Sequence, residues 1–116
     1  MKMGYRVAVG SRDGKVVTEH FGRCRCFLVF YVDTELHTYT YEGKRESDPL
    51  CKDGDHSETD FESVIELLSD CRLVLISRIG PAAEKALNQH SIQALECGLP
   101  ITDALEKIIK FYKSYQ

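Results

Sequence analysis

Leu73-Val74-Leu75-Ile76-Ser77-Arg78-Ile79-Gly80-Pro81 passes from one kind of structure to another within a few residues. The first four are apolar without interruption, as in a short strand buried on both faces. Gly80-Pro81 then opens a helix, with proline in the first turn where its missing N–H costs nothing. Ala83, Ala86 and Leu87 form the inner face of that helix, and their small size suits close packing on a sheet. Ile92-Gln93-Ala94-Leu95 reads as the next strand, and Pro100 starts another helix. In that helix Ile101, Ala104, Leu105, Ile108, Ile109 and Tyr112 make the cleanest amphipathic stripe in the chain. Strand, helix, strand, helix implies parallel pairing with a right-handed crossover.

Upstream the pattern is strand-like. Tyr5-Arg6-Val7-Ala8-Val9 ends at Gly10-Ser11, and Cys26-Phe27-Leu28-Val29-Phe30-Tyr31-Val32 fits a central strand. After the turn at Asp33-Thr34-Glu35, His37-Thr38-Tyr39-Thr40-Tyr41 has the character of an edge strand, so the pair forms an antiparallel hairpin. The stretch from Glu42 to Ser57 holds little that is apolar and is expected to be one long loop. Phe61, Val64, Ile65 and Leu68 then recur at helical spacing, with Ser57 and Asp60 as a capping pair. The expected order is β-β-β-α-β-α-β-α, a five-stranded mixed sheet with helices packed on it, as one domain over residues 1–116.

Composition narrows the function. Fifteen Lys and Arg against eighteen Asp and Glu leave a formal net charge of −3, which argues against nonspecific nucleic-acid binding. No apolar run nears the roughly 20 residues that span a bilayer, and Met1-Lys2-Met3-Gly4-Tyr5-Arg6 lacks a signal-peptide core. A cytoplasmic protein with reduced thiols is expected. Five cysteines, an odd number, cannot all pair.

Ligands of open α/β sheets bind outside the carboxyl ends of the parallel strands. Three loops fall there: Gly10 to Arg25, Ser77 to Gly80, and Glu96 to Pro100. The first carries Glu19-His20-Phe21-Gly22-Arg23-Cys24-Arg25-Cys26. His20 and Cys24 are donor types for soft or borderline metals, and the flanking arginines attract anions and favour thiolate. Cys24 is equally readable as a small core residue, and Cys26 as the first buried residue of its strand. Cys51 and His56 would reach one ion if the long loop folded over the sheet edge; otherwise they are incidental loop residues. Cys97 directly follows the last strand, at the mouth of the crevice. Arg78 and the amides that open the Pro81 helix make a candidate anion site. Cys71 is expected to precede the Leu73 strand, at the opposite end of the sheet, and to be structural, His37 to lie on the edge strand, and His90 to end the second helix. There is no G-x-x-x-x-G-K phosphate loop and no G-x-S-x-G elbow.

Val7-Ala8-Val9-Gly10-Ser11, Asp13-Gly14-Lys15, Glu19-His20-Phe21-Gly22-Arg23 and Phe27 to Asp33 resemble the opening of the dinitrogenase iron–molybdenum cofactor biosynthesis family, of the NifX, NafY and NifB C-terminal domain type. Cys71 to Gly80 and Asp103-Ala104-Leu105-Glu106 extend the resemblance over essentially the whole chain. It implies a three-layer ribonuclease-H-like fold used for binding rather than catalysis. It also implies an iron–sulfur or iron–molybdenum type cluster as cofactor, with cofactor-assembly proteins as partners. His20 would be the principal cluster contact. Arg23 and Arg78 would supply positive charge, and Cys24, Cys51, His56 and Cys97 would be further ligands. The radical chemistry of full-length NifB does not carry over. Two other readings stay open, a metal-free interaction module and a thiol redox protein using Cys24 and Cys26. Neither places an enzyme's catalytic residues in the chain.

Overall fold

A computed structural model describes residues 3–24, 26–46 and 62–113. Its strands are β1 (Gly4–Gly10), β2 (Cys26–Asp33), β3 (Thr38–Glu46), β4 (Cys71–Ile76) and β5 (Gln93–Glu96). The helices are α1 (Glu62–Leu67), α2 (Pro81–Gln89) and α3 (Ile101–Lys113). The strands form one mixed sheet in the order β3-β2-β1-β4-β5. β1 runs antiparallel to β2 and parallel to β4, and β4 runs parallel to β5. The expected α/β architecture is therefore present.

Alternation along the central strands divides the interior in two. Ala8, Val29, Val74 and Ile76 face α1 and α2, where Val64, Ile65, Leu68, Ala83 and Leu87 cover them. Val7, Val9, Leu73 and Leu75 face the other way, under Ile101, Ala104, Leu105 and Ile108 of α3. The apolar runs in β1 and β4 are uninterrupted because both of their faces are covered. α2 begins after an extended Gly80 with Pro81 in its first turn, and ends at His90, whose backbone N–H reaches the Leu87 carbonyl. Ser91 follows at φ +62°, and the Ile92 N–H also bonds to Leu87 O, so Ile92 is buried just ahead of β5 rather than within it. The turn between β2 and β3 is capped by Asp33, whose Oδ1 accepts the Glu35 and Leu36 N–H groups.

Three expectations need correcting. His37 sits in that turn at φ +57°, exposed, and not in the edge strand. β3 continues through Glu46, so the front of the supposed long loop is strand. A bulge opposite Val29 and Phe30, with Gly43 at φ +130°, lets the strand bend and go on. Charges are no obstacle on an edge, and two of these are tied down. Arg45 grips Asp70 with both guanidinium nitrogens, at 2.5 and 2.9 Å, while Arg6 Nε donates to Glu42 Oε1 at 2.7 Å. Cys71 opens β4 rather than preceding it, and it is buried there as a structural residue. The capping pair Ser57 and Asp60, and the helical start at Phe61, lie outside the described residues.

The Arg45–Asp70 pair makes acid stability testable. Hydrogen bonding from Arg45 is the main cause that holds the Asp70 carboxyl below its ordinary range. A depressed carboxyl contributes stability that is complete above the unfolded value, near ~3.9, and is lost as pH falls through the folded value. Asp70 is partly open to solvent, so the contribution at neutral pH should not exceed about 1 kcal/mol. Urea denaturation of Asp70→Asn against the native chain should show that gap at pH 7 and a narrower gap near pH 3. A gap that ignores pH would detach stability from this pair.

Candidate functional site

The carboxyl ends of β1, β4 and β5 and the start of β2 lie at one rim of the sheet. The loop from Ser11 to Cys24 crosses that rim, and its backbone is sewn to both neighbouring loops. The Val17 N–H donates to Leu99 O at 3.0 Å, and Ile101 N–H donates to Lys15 O at 2.8 Å. On the other side Ser77 N–H donates to Glu19 O at 2.9 Å, and Phe21 N–H to Arg78 O at 2.9 Å. The Ser77 hydroxyl adds a bond to Thr18 O at 3.0 Å.

The Asp-Gly-Lys step is structural. Asp13 Oδ1 accepts the Lys15 and Val16 N–H groups at 2.9 and 3.1 Å, which draws its carboxyl below the usual range. Gly14 takes φ +76°, a conformation that favours glycine. The buried Ser11 hydroxyl donates to Val16 O at 2.6 Å. At the strand end, a side chain on Gly10 would start 3.0 Å from an Ile76 methyl and 3.2 Å from Cys24 Sγ. A single Phe21–Arg23 turn of 3-10 helix follows, pinned by the Phe21 ring, which is buried and tilted against Phe27 at 6.0 Å.

This frame leaves an open cleft of about 490 Å³, lined by Ser11, Arg12, Thr18, Glu19, His20, Arg23 and Cys26. His20 is exposed on an extended backbone, immediately ahead of the pinned turn. Arg12 stands 85% exposed with its Nε 3.4 Å from Glu19 Oε1, so the lining carries two arginines against one carboxylate. The rim is cationic, with an imidazole and a thiol in its walls.

The residues expected from the sequence separate here. His20 and Arg23 line the cleft. Cys24 does not: it is 1% exposed, its thiol donates to Cys26 O at 3.3 Å, and burial pushes its pKa up to about 12. The end of the 3-10 turn aims this side chain under Gly10, into the layer of Phe21 and Phe27. Its burial also weighs against a redox pair with Cys26. Arg78 joins through its backbone, which bridges to His20, while the cleft wall is formed without its side chain. Cys97 is half-buried against the α3 side of the core, its N–H bonded to Ile76 O. At the opening of α2 the Ile79 N–H already donates to Glu96 Oε2 at 2.9 Å, so the chain's own carboxylate answers part of the expected anion site. Cys51 and His56 lie outside the described residues.

Ser11, Arg12, Thr18, Glu19 and Cys26 also line the cleft, beyond the cluster contacts expected from the sequence. The strand pattern reads Cys26 as buried, yet β2 starts at the rim, where its first side chain is only half covered. Arg12 follows the strand-ending Gly10-Ser11, and that position was the available signal. Among the described residues no three His, Cys, Asp or Glu side chains gather closely enough to hold a metal ion. The described donors in the cleft are one imidazole and one thiol, beside two arginines and a carboxylate.

Comparison with known proteins places this architecture. NifB, the FeMo cofactor biosynthesis protein of Herbaspirillum seropedicae, is 30% identical over 90 residues, covering 78% of this chain and 17% of that protein. The protein of that name from Rhodobacter capsulatus is 32% identical over 88 residues, covering 76% and 19%. The chain thus spans about a fifth of the length of the curated relatives it matches. Among solved structures, PH0822 superposes with a TM-score of 0.67 at 25% identity, over 91% of this chain and 89% of its own. The apo form of the orange protein from Desulfovibrio gigas shares the fold, with a TM-score of 0.61 at 19% identity over 96% and 92%. The sequence model described as dinitrogenase iron-molybdenum cofactor matches residues 3–111, and the chain belongs to that family.

Proposed function

We propose that this protein holds an anionic metal–sulfur cluster, of iron–sulfur or iron–molybdenum type, and passes it on without transforming it. The observation that carries this reading is the exposed His20 sharing a cleft lining with Arg12 and Arg23, on a loop whose backbone is fixed by its neighbours. A cationic rim attracts an anionic sulfide cluster, and a single imidazole can ligate iron without enclosing it. Few protein ligands suit a carrier, because release must remain easy. The family assignment and the NifB relatives give the same direction, with cofactor-assembly proteins as donors and acceptors. The proposed role is cytoplasmic and exercised by a single domain; no helix among the described residues is long and apolar enough to cross a membrane.

Anaerobic loading with a synthetic iron–sulfur cluster tests the proposal, read as visible absorbance and iron that stay with the protein through gel filtration. His20→Ala should weaken retention by about tenfold or more, by analogy with other losses at metal sites. Arg23→Glu should weaken it further at low salt, and the difference should shrink as ionic strength rises. Full retention in His20→Ala would remove that residue from the site. A native chain that retains no cluster, and carries no metal when purified anaerobically, would favour the interaction-module reading instead.

A further inference from the structure

Among the described residues the cleft wall has one cysteine, and it is not the cysteine nearest the histidine in sequence. Cys24 and Cys26 sit two positions apart, but the fold treats them oppositely. Cys24 is sealed among Phe21 and Phe27, 1% exposed, with its thiol turned away from the cleft onto Cys26 O. Cys26 opens β2 at the rim, half-buried, and shares the cleft wall with His20 and Arg23. We infer that Cys26 is the thiolate donor of this cleft and that Cys26 and His20 together form a two-donor seat for a preassembled cluster. The inference rests on the cargo reading above and deepens it.

A seat of two donors among the described residues favours one class of cargo. A bare Zn²⁺ or Co²⁺ ion seeks about four donors, and the described residues do not gather even three. An assembled cluster brings bridging sulfides that already fill most positions on each iron, so each iron lacks only its terminal ligand. Loading is then ligand exchange with no change of oxidation state. The Cys26 sulfur bonds to iron, the bond from that iron to a small terminal thiolate breaks, and the Cys26 proton leaves on the displaced thiol. Neutral His20 displaces a second terminal thiolate, which takes its proton from the buffer. The arginines offset the negative charge that remains on the cluster.

The test uses the full chain and a synthetic iron–sulfur cluster bearing ethanethiolate ligands, under anaerobic conditions. The native chain should release about two ethanethiols per cluster bound, one for each protein donor. Cys26→Ala should release about one and bind at least tenfold more weakly, roughly the size of effect expected at a metal site. Cys24→Ala should match the native chain in thiol release. Because that variant empties part of the core, a second readout uses the native chain alone: loading should shield Cys26 from iodoacetamide, mapped by mass spectrometry. Co²⁺ alone should produce no thiolate-to-cobalt absorption.

Unchanged thiol release and affinity in Cys26→Ala, with Cys26 still alkylated in the loaded native chain, would overturn the donor assignment and leave the cargo reading standing. A native chain that binds no cluster would overturn both. Tight Co²⁺ binding that depends on Cys26 would overturn the preassembled-cargo half and make the cleft an ion site.

Discussion

Phe21→Ala should lower stability by about 3–5 kcal/mol, the usual cost of deleting a buried phenylalanine side chain. Phe21 is 1% exposed and belongs to the core layer under α1 and α2, yet it lies between two cleft residues, His20 and Arg23. Its ring therefore anchors the loop, and its backbone ties to Arg78 O on one side and to the Cys24 N–H on the other. For a chain of 116 residues a loss of that size should lower Tm by roughly 10–20 °C. Cluster retention should fall as well, although the ring does not line the cleft, because the turn that presents His20 loses its pin. Phe21→Leu should recover part of both. Thermal denaturation and the loading assay measure the two effects, and a stability loss below about 1 kcal/mol would show that the core does not need this anchor.

Leu105→Ala should cost about 2–5 kcal/mol by a separate route. Leu105 is fully buried at the centre of the α3 stripe, against the strand face that carries Val7, Val9, Leu73 and Leu75. Truncation leaves a cavity under the helix that alone covers that face among the described elements. Phe111 on the same helix is 55% exposed, and Phe111→Ala should stay within about 0.5 kcal/mol of the native chain. The contrast with Phe21 lies in function. Leu105 lines no part of the cleft, so the folded fraction of Leu105→Ala should bind cluster as the native chain does. Urea titration followed by loading in buffer separates the two quantities. Equal losses of stability and of affinity would mean that the α3 layer and the cleft are one mechanical unit.

The chain announces its second half clearly because each signal there is local. Pro81 and Pro100 mark helix starts, and Leu73 to Ile76 form an apolar run whose meaning does not change with context. β3 is different: Lys44-Arg45-Glu46 looks like loop until Asp70, far along the chain, supplies the partner that holds Arg45. The same limit governs the cysteines. Alternation in a strand predicts which face a side chain takes, but not whether that face is covered at the strand's first residue. Cys26 stands where cover runs out, and the 3-10 turn rotates Cys24 inward, so of the two readings open for Cys24 the core one fits, while Cys26 reaches the cleft wall. His20 and Arg23 were legible through the His-Phe-Gly step. Arg12 became relevant only when the loop closed and brought it beside Glu19.

The bonds that fasten the Ser11–Cys24 loop to its neighbours are mostly between main-chain groups. Replacing the side chains at positions 12, 20, 23 or 26 would leave those bonds in place. Selection could therefore rewrite what the mouth of the sheet recognises, one position at a time, while the framework that presents it stays constant. Divergent descendants of one scaffold would in this way change what they bind without refolding.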